Sequence, residues 1–183
     1  APKAVLDTLR RYMHVDGLDV VMDLEKSQGA YIYESRNNRP YLDMSSFVAS
    51  NPLGMNHPEM NNPEFIDHIG RIALNKPSNS DIYCAEMAEF VQAFFKIAVP
   101  SYFRYSFFIE GGSLAVENAL KTAFDWKVKK NFKKGYTKEV GHQVIHFKQS
   151  FHGRSGYTLS LTNTDPAKTD LFPKFKWPRI TNP

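Results

Sequence analysis

The sequence predicts an α/β fold in which helices cover part of a parallel-rich sheet. Two observations carry that expectation. Downstream of residue 100, β-type runs alternate with helical periodicity: "YFRYSFFI" (102–109), an amphipathic stretch over 114–130, "HQVIHF" (142–147) and "GYTLSLT" (156–162). A strand, a crossover helix and a second strand make a βαβ unit, whose strands must run parallel. Upstream, a helix and an antiparallel hairpin signal form a different kind of segment, so an N-terminal part over 1–50 is expected ahead of the first, incomplete part of a larger domain over 51–183.

The elements follow in order. "VLDTLRRYMHV" (5–15) has apolar residues on one helical face. In "GAYIYESRNNRPYLDM", Tyr31, Ile32 and Tyr33 alternate, a polar turn spans Arg36 to Arg39, and Tyr41 to Met44 returns. Asn37 and Asn38 tolerate the left-handed conformation such a turn requires. The Asn-, Pro- and Gly-rich stretch after Ser45 reads as irregular loop. "NNPEFIDHIGRIAL" restarts a helix, with Pro63 suited to its first turn. "NKPSNSD" (75–81) breaks it, with Ser80 a candidate cap for the next helix, whose apolar stripe runs through Ile82, Met87 or Ala88, Val91, Phe94 and Phe95. The Pro-rich C-terminal stretch "FPKFKWPRITNP" reads as coil that closes no element, and the chain is expected to stop partway through an α/β domain.

Composition excludes several classes. The 183 residues are 42% hydrophobic and 23% charged, ordinary values for a globular protein. No apolar run approaches the roughly 20 residues of a membrane span. The charged start lacks a signal-peptide core; Arg10 and Arg11 hint at a transit peptide, but Asp7 and Asp16 oppose it, so a cytoplasmic protein is expected. A single cysteine, Cys84, excludes an internal disulfide and a cysteine-rich metal site, and a free buried thiol is its expected role. His142 and His146 would stand about 13 Å apart on one strand, too far to share a metal. Much of the net charge of +4 comes from Lys127, Lys129, Lys130, Lys133 and Lys134, which suit a solvated helix end; no nucleic-acid reading motif accompanies them.

The junction at Glu110-Gly111-Gly112-Ser113 is the first candidate site. In α/β sheets ligands bind at the carboxyl ends of strands beside helix N-termini, where unpaired N–H groups and the helix dipole favour an anion. Glycines allow close backbone approach and Ser113 adds a hydroxyl. A Ser-capped helix after a glycine turn explains the same residues without any ligand. The junction lacks both the G-x-G-x-x-G and the G-x-x-x-x-G-K-[ST] spacing. Behind it, Val116, Leu120, Phe124 and Val128 form the face expected to pack on the sheet. Glu117 suits the first turns but falls one place too late for a capping box.

The second candidate is Phe151-His152-Gly153-Arg154, expected at the end of the next strand and therefore beside the first. An aromatic ring can stack on a flat cofactor, a histidine can hydrogen-bond its substituents, and an arginine can grip a carboxylate with both arms of its fork. A phosphate cradle, a stacking platform and a carboxylate clamp together suit pyridoxal phosphate and an amino acid.

These residues carry a resemblance. "GGSLAVENALKTAFDW" with "FHGRSGYTLSLT" resembles the class III, pyridoxal-phosphate-dependent aminotransferases of fold type I. "FVAS…LGMN", "NKPSNSD" and "FHGRSGYTLSLTNT" resemble more narrowly the branch that acts on the ε-amino group of L-lysine, from about residue 13 onward. The resemblance implies that Gly112 and Ser113 hold the cofactor phosphate, although alanine is common at the position of Ser113 in that branch. It implies that Phe151 stacks on the pyridine ring with His152 as neighbour, that Arg154 binds the α-carboxylate of lysine, and that Val48 lines the substrate entrance. His57 matches a common loop position with a structural role. It further implies a homodimer with "NKPSNSD" reaching across the interface, 2-oxoglutarate as amino acceptor, and a Schiff-base lysine beyond residue 183, so that 1–183 contains no catalytic residue and is inactive alone. Other ω-aminotransferases acting on ornithine or γ-aminobutyrate, and a non-enzymatic α/β binding module, remain the alternatives.

Overall fold

The structure is a computed structural model that describes residues 1–78 and 80–183. Its residues gather into two compact units, Ala1–Ala98 and Val99–Pro183.

In the first unit, a 3-10 turn leads into α1 (Val5–Tyr12), which buries Leu6. A strand that the sequence pattern does not signal follows, β1 (Met22–Gln28). The predicted hairpin is present as β2 (Tyr31–Glu34) and β3 (Arg39–Leu42), antiparallel with Tyr31 opposite Leu42 and Glu34 opposite Arg39. Asn38 takes the left-handed turn position at φ 54°. β1 pairs antiparallel with β2. Its polar run Asp23-Leu24-Glu25-Lys26 hides the alternation because the ladder breaks between Asp23 and Gln28. Buried Ser27 repairs the break: its Oγ accepts the Tyr33 N–H (2.9 Å) and donates to the Asp23 carbonyl (2.6 Å).

Glu34, only 1% exposed, organises the turn. Its carboxylate accepts the N–H groups of Val21 (3.1 Å), Arg36 (3.1 Å) and Asn37 (2.9 Å) and pairs with the Arg36 guanidinium. Burial alone would raise its pKa; the Arg36 side chain and the Val21 and Asn37 N–H groups outweigh that and hold it below the ordinary glutamate value.

The loop after the hairpin contains α2 (Ser46–Ala49), where Phe47 (φ 48°), Val48 (φ 59°) and Ala49 (φ 60°) are all left-handed. That conformation is costly for a β-branched residue. Helix α3 (Pro63–Ala73) starts as predicted, with Pro63 in its first turn and the Asn62 side chain accepting the Phe65 N–H at 2.9 Å. Helix α4 (Ala85–Ile97) starts later than expected, and its N-cap is Cys84 rather than Ser80. Ile82 lies outside the helix and is exposed, whereas Met87, Val91, Phe94 and Phe95 are half-buried. Cys84 is free and half-buried rather than buried, with Pro77 O 3.7 Å from its Sγ. Asn79, within the predicted "NKPSNSD" loop, lies outside the described residues.

The second unit is built on α5 (Gly112–Phe132), slightly longer at both ends than the predicted helix. Residues 102–109, predicted as a strand, form no ladder. A strand is defined by its ladder, this run belongs to neither sheet of the described residues, and Tyr105 and Phe107 are largely exposed. Of the second predicted strand only β4 (His146–Phe147) is paired. Its partner is β5 (Arg179–Ile180), parallel and in register His146 to Arg179. The C-terminal stretch therefore does close an element, because the His146 N–H donates to the Pro178 carbonyl (3.1 Å) and the Lys148 N–H to the Ile180 carbonyl (2.9 Å).

The third predicted strand is a helix, α6 (Gly156–Leu161), followed by the single turn α7 (Pro166–Thr169). Tyr157, Thr158 and Thr162 favour strand and the apolar residues alternate, but a capping box of Ser155 and Thr158 nucleates helix instead. On the α5 face Phe124 packs edge-on against His142, Tyr157 and Trp177, and Phe175 stacks on Trp177 (centroids 5.0 Å). Val128 is buried, while Val116, Leu120 and Phe124 are half-buried.

Among the described residues no helix is long and apolar enough to cross a membrane. The lysine-rich end of α5 is solvated: Lys129 pairs with Asp125 (2.8 Å) and Lys130 lies over the Trp126 ring (4.5 Å).

Candidate active site

Gly111 (φ 82°) turns the chain into α5, so the N–H groups of Gly112, Ser113 and Leu114 form its open first turn. Within the chain the first helical bond is from Ala115 N–H to the Gly111 carbonyl (3.1 Å), and among the described residues those three donors have no acceptor. A helix N-terminus with free donors attracts anions. A Cβ built on Gly112 would have nothing within 4 Å, so the space in front of this turn is open.

The loop Phe151–Arg154 lies against the same turn. Gly153 (φ 114°) packs so closely on Ser113 that an added Cβ would fall 2.8 Å from the Ser113 Cα. Only glycine accepts both that conformation and that distance. Together Gly112, Ser113, Phe151, His152, Gly153 and Arg154, with Val116 behind them, line one cavity of about 500 Å³. Every site residue predicted in this unit is therefore brought to a single cavity, although the strand expected to deliver the loop is reduced to β4. A larger cleft of about 790 Å³ between α5 and residues 139–145 is walled mainly by apolar groups such as Leu120, Phe124 and Ile145, without comparable convergent donors. The Phe151 ring is 62% exposed and free to receive a flat partner. Arg154 is exposed at the rim, and among the described residues no carboxylate pairs with it.

Of the residues that hold this loop, sequence reasoning missed Thr162, Ser155 and Thr158, and it gave Ser113 and Glu117 other roles. Thr162, 1% exposed, accepts the His152 N–H (2.9 Å) and donates to the Gly153 carbonyl (2.6 Å). Ser113 Oγ lies 2.7 Å from Ser155 Oγ and 3.0 Å from Thr158 Oγ1, so its hydroxyl ties α5 to the start of α6. Glu117 caps α6, with Oε1 accepting the Tyr157 N–H (2.8 Å) and Oε2 the Thr158 N–H (3.1 Å). The pattern Ser155-x-x-Thr158 is a readable N-cap signal, but alternating β-formers mask it.

The histidines are placed elsewhere. His146 is buried, its Nε2 receiving the Arg179 Nε–H at 3.2 Å, while His142 packs on Phe124. His57 accepts the Glu59 N–H at Nδ1 (3.3 Å), a local turn contact. Val48, in the first unit, is 94% exposed.

The class III aminotransferase family model matches residues 12–182, and the chain belongs to that family. Its fold is part of fold type I. The chain is 52% identical over 183 residues to the L-lysine-epsilon aminotransferase of Mycobacterium tuberculosis strain ATCC 25618 / H37Rv, covering 100% of this chain and 41% of that protein. It is 47% identical over 181 residues to the L-lysine-epsilon aminotransferase of Streptomyces clavuligerus, covering 98% of this chain and 39% of that protein. Among solved structures it superposes on the lysine aminotransferase from M. tuberculosis in the internal aldimine form with a TM-score of 0.94 at 52% identity, over 100% of this chain and 42% of that one. The ornithine aminotransferase of Toxoplasma gondii, 20% identical with a TM-score of 0.67, shares the fold. The chain thus spans about two-fifths of the length of the relatives it matches.

Proposed function

We propose that these residues belong to an enzyme that transfers the ε-amino group of L-lysine to 2-oxoglutarate through pyridoxal phosphate. The observation that carries this reading is the shared cavity of Gly112, Ser113, Phe151, His152 and Arg154. The lining suits the cofactor: Gly112 and Ser113 line the cavity, and among the described residues the first-turn N–H groups of α5 have no acceptor, Phe151 offers an exposed stacking face, and Arg154 at the rim has no ionic partner. The 52% identity to a named lysine aminotransferase supports lysine over other amines.

In this reading Gly112 and Ser113 bind the phosphate, Phe151 stacks on the ring, and His152 flanks it. Arg154 holds the α-carboxylate, which leaves the far ε-amino group as the reacting end. Val48 lines the substrate entrance in the assembled enzyme, a homodimer in which residues 75–81 approach the active site across the interface. Residues 1–50 belong to its small domain and 51–183 to the first part of its cofactor-binding domain. Bound pyridoxal phosphate would supply the electron sink for carbanion chemistry. No residue of 1–183 is assigned as the Schiff-base lysine. The balance is an exchange: the ε-carbon of lysine becomes an aldehyde carbon, and the oxo carbon of 2-oxoglutarate gains the amino group to give glutamate.

Incubating full-length protein and cofactor with L-lysine and 2-oxoglutarate tests this. Glutamate should accumulate with an equal amount of cyclised semialdehyde, and a visible cofactor band should disappear with a carbonyl-trapping reagent. A colourless protein that turns over neither compound would overturn the proposal.

A further inference from the structure

We propose that Glu117 is a positioning residue that sets the carboxylate clamp by fixing the loop Phe151–Ser155 against the phosphate turn. This rests on the functional reading above and adds a residue to it. Ser113 and Glu117 are four apart on α5 and share one helix face. Both reach the same target: Ser113 Oγ meets Ser155 Oγ at 2.7 Å, and Glu117 takes the Tyr157 N–H (2.8 Å), the Thr158 N–H (3.1 Å) and the Ser155 hydroxyl (3.4 Å). The carboxylate sits on bare backbone, because a Cβ on Gly156 would run into Glu117 Oε1. Two amides at a positive helix end and one hydroxyl converge on a single anionic acceptor, which is a strong, directional attachment.

That attachment is transmitted to the site by short covalent steps. Arg154 immediately precedes Ser155, and Thr162, past the other end of α6, grips His152 and Gly153. Among the described residues Arg154 has no ionic partner of its own, so the backbone at Ser155 decides where its guanidinium starts from. Removing the carboxylate leaves the loop joined to α5 through the Ser113 hydroxyl contacts and through packing of Gly153 on Ser113 and of Tyr157 on Phe124. A clamp displaced by a fraction of an ångström loses its two-armed fit to a carboxylate, whereas a ligand without a carboxylate is indifferent to it.

The test uses full-length holoenzyme and Glu117→Gln, which keeps the side-chain shape and one acceptor oxygen. Three readouts are taken: lysine kinetics, kinetics with 1,5-diaminopentane, and hydrogen exchange of the peptide spanning residues 155–160 without cofactor. The expected result is a roughly 10-fold loss in kcat/KM for lysine, carried mainly by KM, with about a 2-fold change or less for the diamine. In an Arg154→Ala background, Glu117→Gln should add less than about 2-fold, since both changes act on one contact. Exchange at Tyr157 and Thr158 should accelerate about 10-fold. Equal losses for lysine and diamine, or losses that multiply in the double variant, would reduce Glu117 to a structural cap and overturn the proposal. Gly156→Ala, which pushes on Oε1, gives an independent second variant with the same expected split. Wild-type protein that turns over neither amine overturns the functional reading instead, and unchanged exchange in Glu117→Gln then overturns the attachment too.

Discussion

Gly153 is pressed against Ser113 so tightly that a Cβ on it would lie 2.5 Å from the Ser113 Cβ, while its own φ of 114° already excludes other residues. This contact joins the first turn of α5 to the loop Phe151–Arg154. Gly153→Ala meets a steric and a conformational penalty together, each of order 1–3 kcal/mol at such positions. The full-length variant should melt several degrees lower and bind pyridoxal phosphate more weakly, as read by thermal unfolding and cofactor titration. A variant with wild-type melting and cofactor affinity would mean the loop has room to retreat.

Gly112 should behave in the opposite way. A Cβ there meets nothing within 4 Å, so a larger side chain costs the fold little and instead occupies the open space before the first turn. Gly112→Val should leave the melting temperature of cofactor-free protein within a few degrees of wild type. Its cofactor affinity should fall by about 10-fold or more, because the bulk keeps a phosphate from the N–H groups. Unchanged affinity would return this turn to a plain helix start.

The two glycine substitutions show what the sequence made legible. That Gly112, Ser113, Phe151, His152 and Arg154 would stand around one cavity was readable because glycine turns and aromatic-basic loops have a chemistry independent of exact topology. Helices α3, α4 and α5 were readable from their period and, for α3, from Pro63, but their caps were not: Cys84 and Gly111 stand where Ser80 and Ser113 were expected. The strand at 102–109 was not realised, because β-propensity states that a segment would accept partners without supplying them. Residues 156–161 misled for the converse reason: Ser155, Thr158 and a glutamate 38 residues upstream of Ser155 cap a helix there, and that contact is invisible to local pattern. β1 was hidden by a bulge whose repair by Ser27 is tertiary.

Glu34 gives the first unit a definite pH dependence. Burial works to raise its carboxyl pKa, but Arg36 and the Val21 and Asn37 N–H groups outweigh that effect, so the folded-state value is lowered. A depressed native pKa contributes stability that is present above the unfolded value of about 4.3 and lost as pH falls through the lower native value. Acidification through that window should release the Val21 and Asn37 amides to exchange before the rest of the hairpin opens. Glu34→Gln should abolish this pH step while exchanging faster at neutral pH, as hydrogen exchange from acidic to neutral pH would read. A step of the same size in the variant would assign it to another carboxylate.

Arg154 tests the substrate assignment most directly. It follows Phe151 by three residues, lines the same cavity as Gly112 and Ser113, and among the described residues faces no carboxylate that would neutralise it. A surface arginine with no ligand would tolerate truncation with little change in activity. Removing a two-armed, charge-assisted grip from a partly desolvated site costs roughly 2–3 kcal/mol, or about 30- to 150-fold in kcat/KM. Arg154→Ala in the full-length enzyme should therefore raise the KM for lysine and leave the visible cofactor band in place. Arg154→Lys should recover little, because a point charge cannot reproduce the planar fork. Turnover of 1,5-diaminopentane, which offers an equivalent amine and no carboxylate, should fall far less. If lysine and the diamine lose activity in the same proportion, the guanidinium does not grip the α-carboxylate, and the preference for lysine must be built by residues outside this cavity.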